Sequence, residues 1–247
     1  MSISSLAEAR RIVILAGAGL STAAGIPDFR GPEGLWTRDP YAELVSTLSW
    51  YLRDEDVRES AWRRRSDPAV WAAKPTRAHR AITRLEADGR LRAVVTQNTD
   101  GLQQVAGTSE EAVLEVHGSM RTWRCELCGS TGPMEEMVAR VHAGEEDPRC
   151  PKCGGITRAT VILFEEVLDA DVLEAAVNAV EDCDAIVAVG TTLGVYPVAG
   201  LFPLAKDHGA YAVIVNDSET PFDDIADEVV RGRIDDVLSG VLGVEVD

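Results

Sequence analysis

The sequence predicts an α/β protein: a doubly wound, Rossmann-like parallel sheet with a small helical insert and a zinc-ribbon-like module. Three observations predict it. Short apolar runs bounded by Gly, Asn or Asp recur along the 247 residues, helical patterns stand between several of them, and four cysteines form two close pairs in a stretch that breaks the alternation. Strands alternating with helices settle as a parallel sheet covered on both faces, because neither element buries its apolar side alone.

The expected strands are Ile12–Leu15, Leu91–Val95, Val161–Phe164, Ala185–Val189 and Tyr211–Val215. Each is short, rich in β-branched residues and nearly continuous in its apolar character, which suits a strand buried on both faces. The expected helices are Ala78–Ala87, Ala170–Glu181 and Val198–Asp207. Two stretches stand apart. Residues 37–75, with Trp36 just before them, combine Trp, Arg and acid without a clear strand and read as a helical insert. Residues 121–157 hold the paired cysteines and one helical pattern, Pro133–Val141, and read as a metal-stapled module. The two are expected to form a small domain, and residues 1–36, 76–120 and 158–247 the Rossmann-like one.

Composition narrows the function. The net charge of −17 argues against nucleic acid as a partner, because phosphate repels an acidic surface, and it is compatible with a basic protein segment. No apolar run approaches the roughly 18–20 residues that span a bilayer, so no membrane is expected. The first residues, MSISSLAEARR, carry no apolar signal core, which makes a cytoplasmic location the expectation. Basic charge comes from 21 Arg and 3 Lys, a bias that hints at a GC-rich bacterial genome.

The cysteines carry the strongest chemical signal. Cys125-x2-Cys128 and Cys150-x2-Cys153 can offer four thiolates to one tetrahedral Zn²⁺, and four thiolates leave no position for a reacting water, so the metal is expected to be structural. A redox pair is the rival, and two such pairs favour zinc. Cys183 reads as packing.

The first expected strand runs into Gly17-Ala18-Gly19-Leu20-Ser21-Thr22-Ala23-Ala24-Gly25. Glycines at such a turn let the backbone approach a pyrophosphate, with N–H groups of a following helix beside it. Thr22 occupies the third glycine position of the dinucleotide fingerprint, and no acid follows about 20 residues later, which disfavours a dehydrogenase. The segment from Ile26 through Asp28, Phe29 and Arg30 to Trp36 is punctuated by Pro27, Gly31, Pro32 and Gly34, so it is a loop of special shape. Thr96-Gln97-Asn98-Thr99-Asp100-Gly101 ends the second strand, where ligands of open parallel sheets sit, although capping alone would explain one of the two polar residues Asn98 and Asp100. Glu115-Val116-His117-Gly118 closes another apolar run, and an imidazole there suits proton abstraction near neutral pH. His79, His142 and His208 fall in or beside helical patterns. Gly190-Thr191-Thr192-Leu193 and Val215-Asn216-Asp217 end two further strands, with groups suited to phosphate and ribose.

Taken together, GAGLSTAAGIPDFRGPEGLW (17–36), TQNTDGLQQVAG (96–107), LEVHGSM (114–120), the paired cysteines, GTTLGVYPVAG (190–200) and VIVNDSET (213–220) resemble the sirtuin family in content and order. The resemblance implies an NAD-dependent protein lysine deacylase, which transfers the acyl group of acyl-lysine to ADP-ribose and releases nicotinamide. It implies His117 as the base acting on the ribose hydroxyls, with Asn98 and Asp100 holding nicotinamide and its ribose. Asp28, Phe29 and Arg30 would form a cofactor loop, with Phe29 over the reactive carbon. The wider NAD site would include Ala16, Gly17, Ala18, Gly19, Ser21, Thr22, Gly25, Ile26, Gln97 and Thr99. Gly190, Thr191, Thr192, Asn216, Asp217 and Ser218 would take the phosphates and the adenosine end.

An acyl-lysine-bearing protein or peptide would add as a strand between Val161–Glu166 and Gly194–Pro197, touching Val161, Ile162, Phe164, Glu165, Val195 and Tyr196. The sequence departs from the family pattern at Gln103, often His, at Glu165, usually Gly, and at Ala159 and Thr160, commonly Pro-Asp. Trp62-x-x-Arg65 is the nearest counterpart of the Tyr-x-x-Arg pair that binds acidic acyl groups; an exposed basic helix face is the blander reading and the favoured one. Mono-ADP-ribosylation, NAD hydrolysis and a non-catalytic NAD sensor are the rival functions, and an intact His117 counts against the sensor. Acyl preference and oligomeric state are not written in the sequence.

Overall fold

The structure is a computed structural model that describes residues 4–28, 34, 39 and 41–246. Its strands are β1 (Ile12–Ala16), β2 (Leu91–Thr96), β3 (Val113–Glu115), β4 (Thr122–Cys125), β5 (Thr131–Pro133), β6 (Thr157–Ala159), β7 (Ala185–Val189), β8 (Tyr211–Val215) and β9 (Glu228–Val230). Its helices are α1 (Tyr41–Val45), α2 (Leu48–Arg53), α3 (Glu55–Arg65), α4 (Pro68–Ala72), α5 (Arg77–Ala87), α6 (Leu102–Val105), α7 (Met134–His142), α8 (Ala170–Glu181), α9 (Leu201–Asp207) and α10 (Ile234–Leu242).

Six strands form one parallel sheet in the order β3-β2-β1-β7-β8-β9. β1 is central, and all five of its residues are buried. Strand side chains alternate between faces, and the packing follows that period. Ile12, Ile14 and Ala16 pack with Ala78, Ile82 and Leu85 of α5 and Leu238 and Leu242 of α10. Val13 and Leu15 pack with Ala176, Ala179 and Val180 of α8 and Leu201, Phe202 and Ala205 of α9. Burying each of the larger side chains among them, the Val, Leu, Ile and Phe, stabilises the fold by about 1.5–3 kcal/mol. The sheet is therefore doubly wound, and the chain leaves β1 for β2 on one side and reaches β7 on the other. That reversal opens a crevice at the carboxyl ends of β1 and β7.

Local chemistry sets the helix ends. Thr76 and His79 form a reciprocal capping box at α5, and Asp169 accepts the N–H groups of Asp171 and Val172 at the start of α8. The pattern expected over Val198–Asp207 divides into a 3₁₀ turn, Val198–Gly200, and α9. Pro203 explains the division, because a proline is tolerated only in the first turn, where its N–H has no intrahelical partner.

A second, antiparallel sheet has the order β5-β4-β6. It shares a core with the helices before it: Trp62 of α3 packs with Trp123, Met134, Met137, Val138 and Ala159, beside Cys125 and Cys150.

One expected strand is corrected. Val161–Phe164 is not a strand of the main sheet; it is an extended segment with a single bridge, from Phe164 to Thr47. Its main-chain groups go elsewhere, Ile162 N–H to His117 O at 2.9 Å and Phe164 N–H to Ser46 O at 2.8 Å. An apolar run of four residues has the same signature in either setting. The edge strands β3 and β9 are three residues each; β3 is the short apolar run that Glu115-Val116-His117-Gly118 closes, whereas β9 is too short to show a periodicity.

Candidate active site

Three glycines bring the loops after β1 and β7 together. A side chain on Gly17 would lie 2.6 Å from Gly190 O, and one on Gly19 2.8 Å from Gly190 Cα. Gly190 has φ 60°, and a Cβ there would reach 2.5 Å from Leu20 N. These glycines are thus required by the contact of one loop with the other. The turn after β1 also differs from expectation. It continues as two short 3₁₀ turns, Ala18–Leu20 and Thr22–Ala24, so no α-helix N-terminus follows it directly. Gly25, at φ 86°, turns the chain into Ile26, Pro27 and Asp28. Phe29 and Arg30 lie outside the described residues.

Beneath this turn lies a buried polar cluster. Ser21, 1% exposed, donates its hydroxyl to Asp100 Oδ2 at 2.7 Å. Asn98 Nδ2 donates to Gly17 O at 3.0 Å and to Ser21 Oγ at 3.3 Å. Thr76 N–H donates to His79 Nδ1 at 3.2 Å, which leaves the His79 proton on Nε2, 3.4 Å from Ser21 Oγ. Ser21 therefore accepts twice and donates once, the full capacity of a hydroxyl. Burial pushes the His79 pKa down and favours this neutral form. Asp100 Oδ1 accepts Leu102 N–H at 2.8 Å, while its main-chain oxygen accepts Arg121 Nε at 2.8 Å.

His79 and Arg121 are the contributors that sequence reading missed. The signal for His79 was its capping box with Thr76; Arg121 offered none.

His117 is half-buried after β3. Its Nδ1 lies 3.1 Å from Gln97 O, and a carbonyl can only accept, so Nδ1 carries the proton and Nε2 keeps a lone pair. Burial pushes the His117 pKa below its ordinary value, and the Gln97 hydrogen bond opposes that more weakly. Gly118, at φ 70°, is the residue next to it; a Cβ there would fall 2.2 Å from Thr160 O. Gln97 also reaches across the crevice, its Nε2 donating to Thr191 Oγ1 at 3.0 Å, so the ends of β2 and β7 are joined. Asn216, buried at the end of β8, donates to Ser218 O at 2.9 Å and accepts Arg231 Nη1 on its main-chain oxygen, also at 2.9 Å. Thr192, Asp217 and Ser218 are exposed.

The four paired cysteines converge, with every Sγ within 4.8 Å of the others. Cys125 Sγ and Cys153 Sγ are 3.5 Å apart, and Cys128 Sγ and Cys150 Sγ 3.7 Å. A tetrahedron with Zn–S bonds of about 2.3 Å needs sulfurs about 3.8 Å apart, so the donor set fits one Zn²⁺. Leu127 N–H donates to Cys125 Sγ at 3.4 Å, and Gly155 lies so close that a Cβ would come 3.0 Å from that sulfur.

The residues expected to meet a peptide are divided. Phe164, Glu165 and Tyr196 are exposed, and Val161, Ile162 and Val195 are half-buried. Trp62 is enclosed in the core with no partner for its Nε1, so it offers no surface to a substrate. Of that pair only Arg65 keeps partial exposure, and its main-chain oxygen accepts Trp71 Nε1 at 2.7 Å.

Residues 17–197 match the Sir2 family model. An NAD-dependent protein deacetylase 2 of Streptomyces coelicolor is 48% identical over 231 residues, covering 94% of this chain and 96% of the relative. An NAD-dependent protein deacetylase of Rhodopseudomonas palustris is 37% identical over 243 residues, covering 96% and 93%. Among solved structures, a Sir2 homologue–NAD complex superposes with a TM-score of 0.84 at 36% identity, covering 97% of this chain and 90% of the other. A Sir2–p53 peptide–NAD⁺ complex does so with 0.85 at 33%, covering 96% and 94%. On these grounds the chain belongs to the Sir2 family.

Proposed function

We infer that this protein is an NAD-dependent protein lysine deacylase that moves the acyl group of an acyl-lysine onto ADP-ribose and releases nicotinamide, with one structural Zn²⁺. The observation that carries the reading is the pairing of His117, held with a free Nε2, with the satisfied Ser21–Asn98–Asp100 cluster at the carboxyl ends of the strands. A protein that merely sensed NAD would have no use for an oriented base.

NAD, when bound, supplies the activated ADP-ribose that accepts the acyl group. With NAD bound, His117 Nε2 is the group that would accept a proton from a ribose hydroxyl, the general-base role that its lone pair permits. Asn98 and Asp100 hold the nicotinamide end, kept in place by Ser21 and Gly17. Gly190, Thr191 and Asn216 serve the phosphates and adenosine, with Asp217 and Ser218 at the mouth. The substrate is an acyl-lysine-bearing protein segment lying against Val161–Glu166 and Gly194–Pro197, where main-chain bonds supply affinity. Residues 37–75 and 121–157 act as one small domain bordering that cleft.

Among the described residues no helix is long and apolar enough to cross a membrane. We place the enzyme in the cytoplasm, acting on protein and not on nucleic acid.

Mass spectrometry of the protein with NAD and a panel of acetyl-, succinyl- and longer acyl-lysine peptides tests the reading. The expected result is NAD-dependent loss of one acyl mass with appearance of acylated ADP-ribose. Nicotinamide release without deacylation would replace the assignment by ADP-ribosyl transfer or hydrolysis, and no turnover at all would restore the sensor.

A further inference from the structure

The segment between β6 and α8 is tied to three parts of the molecule at once. On the main-sheet side Ile162 N–H donates to His117 O at 2.9 Å. Toward the helices, Phe164 N–H donates to Ser46 O at 2.8 Å, and Phe164 O accepts Leu48 N–H at 3.2 Å. Toward the cysteine module, Glu166 Oε1 accepts from Arg124 at 3.0 Å and from the enclosed Arg158, while its Oε2 accepts Leu163 N–H at 2.8 Å.

Glu165 stands between these ties with φ 78°. Its Oε2 accepts Ser49 N–H at 2.8 Å and its Oε1 accepts Ser49 Oγ–H at 2.9 Å. A non-glycine residue in the left-handed region costs about 1–2 kcal/mol, so the conformation persists where something holds it. Ser49 lies in the first turn of α2, where an N–H has no intrahelical acceptor, and a carboxylate is the acceptor that such a group binds well. Among the described residues the other non-glycine position with positive φ is Leu193, at 51°, in the turn leading to Gly194–Pro197. Both departures thus fall at the two segments between which the peptide is read to lie.

We propose that Glu165 and Ser49 form a latch that fixes the peptide-docking edge, making Glu165 a positioning residue for the acyl-peptide and not for NAD. The proposal rests on the reading that the peptide pairs with Val161–Glu166. Its logic is geometric. Main-chain hydrogen bonds weaken steeply when one edge shifts or tilts, and with the latch open Glu165 relaxes toward ordinary φ and carries that edge with it. The carboxylate's partner, Ser49, lies in the helical insert, so the same change removes no hydrogen bond of Gly17, Asn98 or Thr191 in the cofactor crevice.

The test is a cycle of Glu165→Ala, Ser49→Ala and the double variant, with Glu165→Gln as the conservative control. Peptide KM, peptide Kd, NAD KM and kcat are measured for each. Glu165→Ala raises peptide KM and Kd together by about three- to tenfold, the size of one or two exposed hydrogen bonds. NAD KM and saturated kcat stay within about twofold, because the cofactor contacts are separate. The double variant is no worse than Glu165→Ala, since both remove one interaction. Glu165→Gln, which keeps an acceptor for Ser49, recovers part of the loss.

Unchanged peptide affinity in Glu165→Ala, multiplying losses in the double variant, or equal losses in kcat and NAD KM would each overturn the latch. A wild-type chain that binds the peptide without deacylating it would sink the functional reading instead, and the Kd series would still decide the latch.

Discussion

Between His117 and Gln97 one hydrogen bond, Nδ1–H to the main-chain oxygen at 3.1 Å, settles which imidazole nitrogen is available. In the role proposed for His117 the base is the neutral imidazole, and burial holds its pKa below the ordinary 6.5. The sign follows: lowering pH protonates Nε2 and removes the base, while raising pH through neutrality changes little. The acid limb of kcat/KM should therefore have its midpoint below 6.5, with a plateau at neutral pH, read from a pH–rate profile at subsaturating peptide. A midpoint above that value would mean that another group titrates. His117→Ala should lower acyl transfer by about 10²–10⁴-fold, the range for losing a general base, while NAD binding by calorimetry is largely spared. Retained deacylation would dismiss His117 from the role. His79 is also neutral and buried, but both of its nitrogens are engaged, by Thr76 and Ser21, so it orients and does not accept a substrate proton.

At the scale of elements, the site is a contact between loops. Gly190→Ala carries two penalties, the strain of a side chain at φ 60° and a Cβ 2.5 Å from Leu20 N, an atom of the backbone that cannot swing aside. The variant should lose more than about 2 kcal/mol of stability and bind NAD poorly, read together by denaturant melts and by titration. A stable variant with ordinary NAD affinity would show that the two loops need not touch. The sequence held much of this architecture. Four of the five expected strands appear because their apolar runs are long and bounded, and Ala170–Glu181 is found with the same ends because Asp169 caps it. What escaped was non-local. Val161–Phe164 looks like a strand in composition, yet its partners, His117, Ser46 and Leu48, lie far away in sequence. For the same reason the glycines of 17–25 suggested an approach to phosphate but not their contact with Gly190. Ser21 and Asp100 in loops and His79 in the first turn of α5, unrelated in the sequence, become one cluster only when the sheet is assembled.

For the whole molecule, the metal centre and the cleft are one mechanical system. The four cysteines converge from β4, the turn after it and the loop before β6, and β4 and β6 carry Arg124 and Arg158, the cations that hold Glu166 beside the segment proposed to dock the peptide. Arg158 is 1% exposed, so its charge is tolerable only while Glu126 and Glu166 face it. The purified protein should contain about one Zn per chain in four-thiolate ligation, because both cysteine pairs converge on one tetrahedron. Structural Zn²⁺ contributes on the order of 10 kcal/mol to folding in small cysteine modules, more than this module's modest core can replace. Cys150→Ser should accordingly unfold the module first. Trp62 and Trp123, both in its core, report that event as a red-shifted fluorescence, and deacylation disappears with it. The parallel sheet has separate cores around β1, so far-UV dichroism and NAD binding should fall much less. A metal-free chain with native fluorescence and full deacylation would break the link between metal and cleft, whereas simultaneous loss of the main sheet would mean that the two units fold as one.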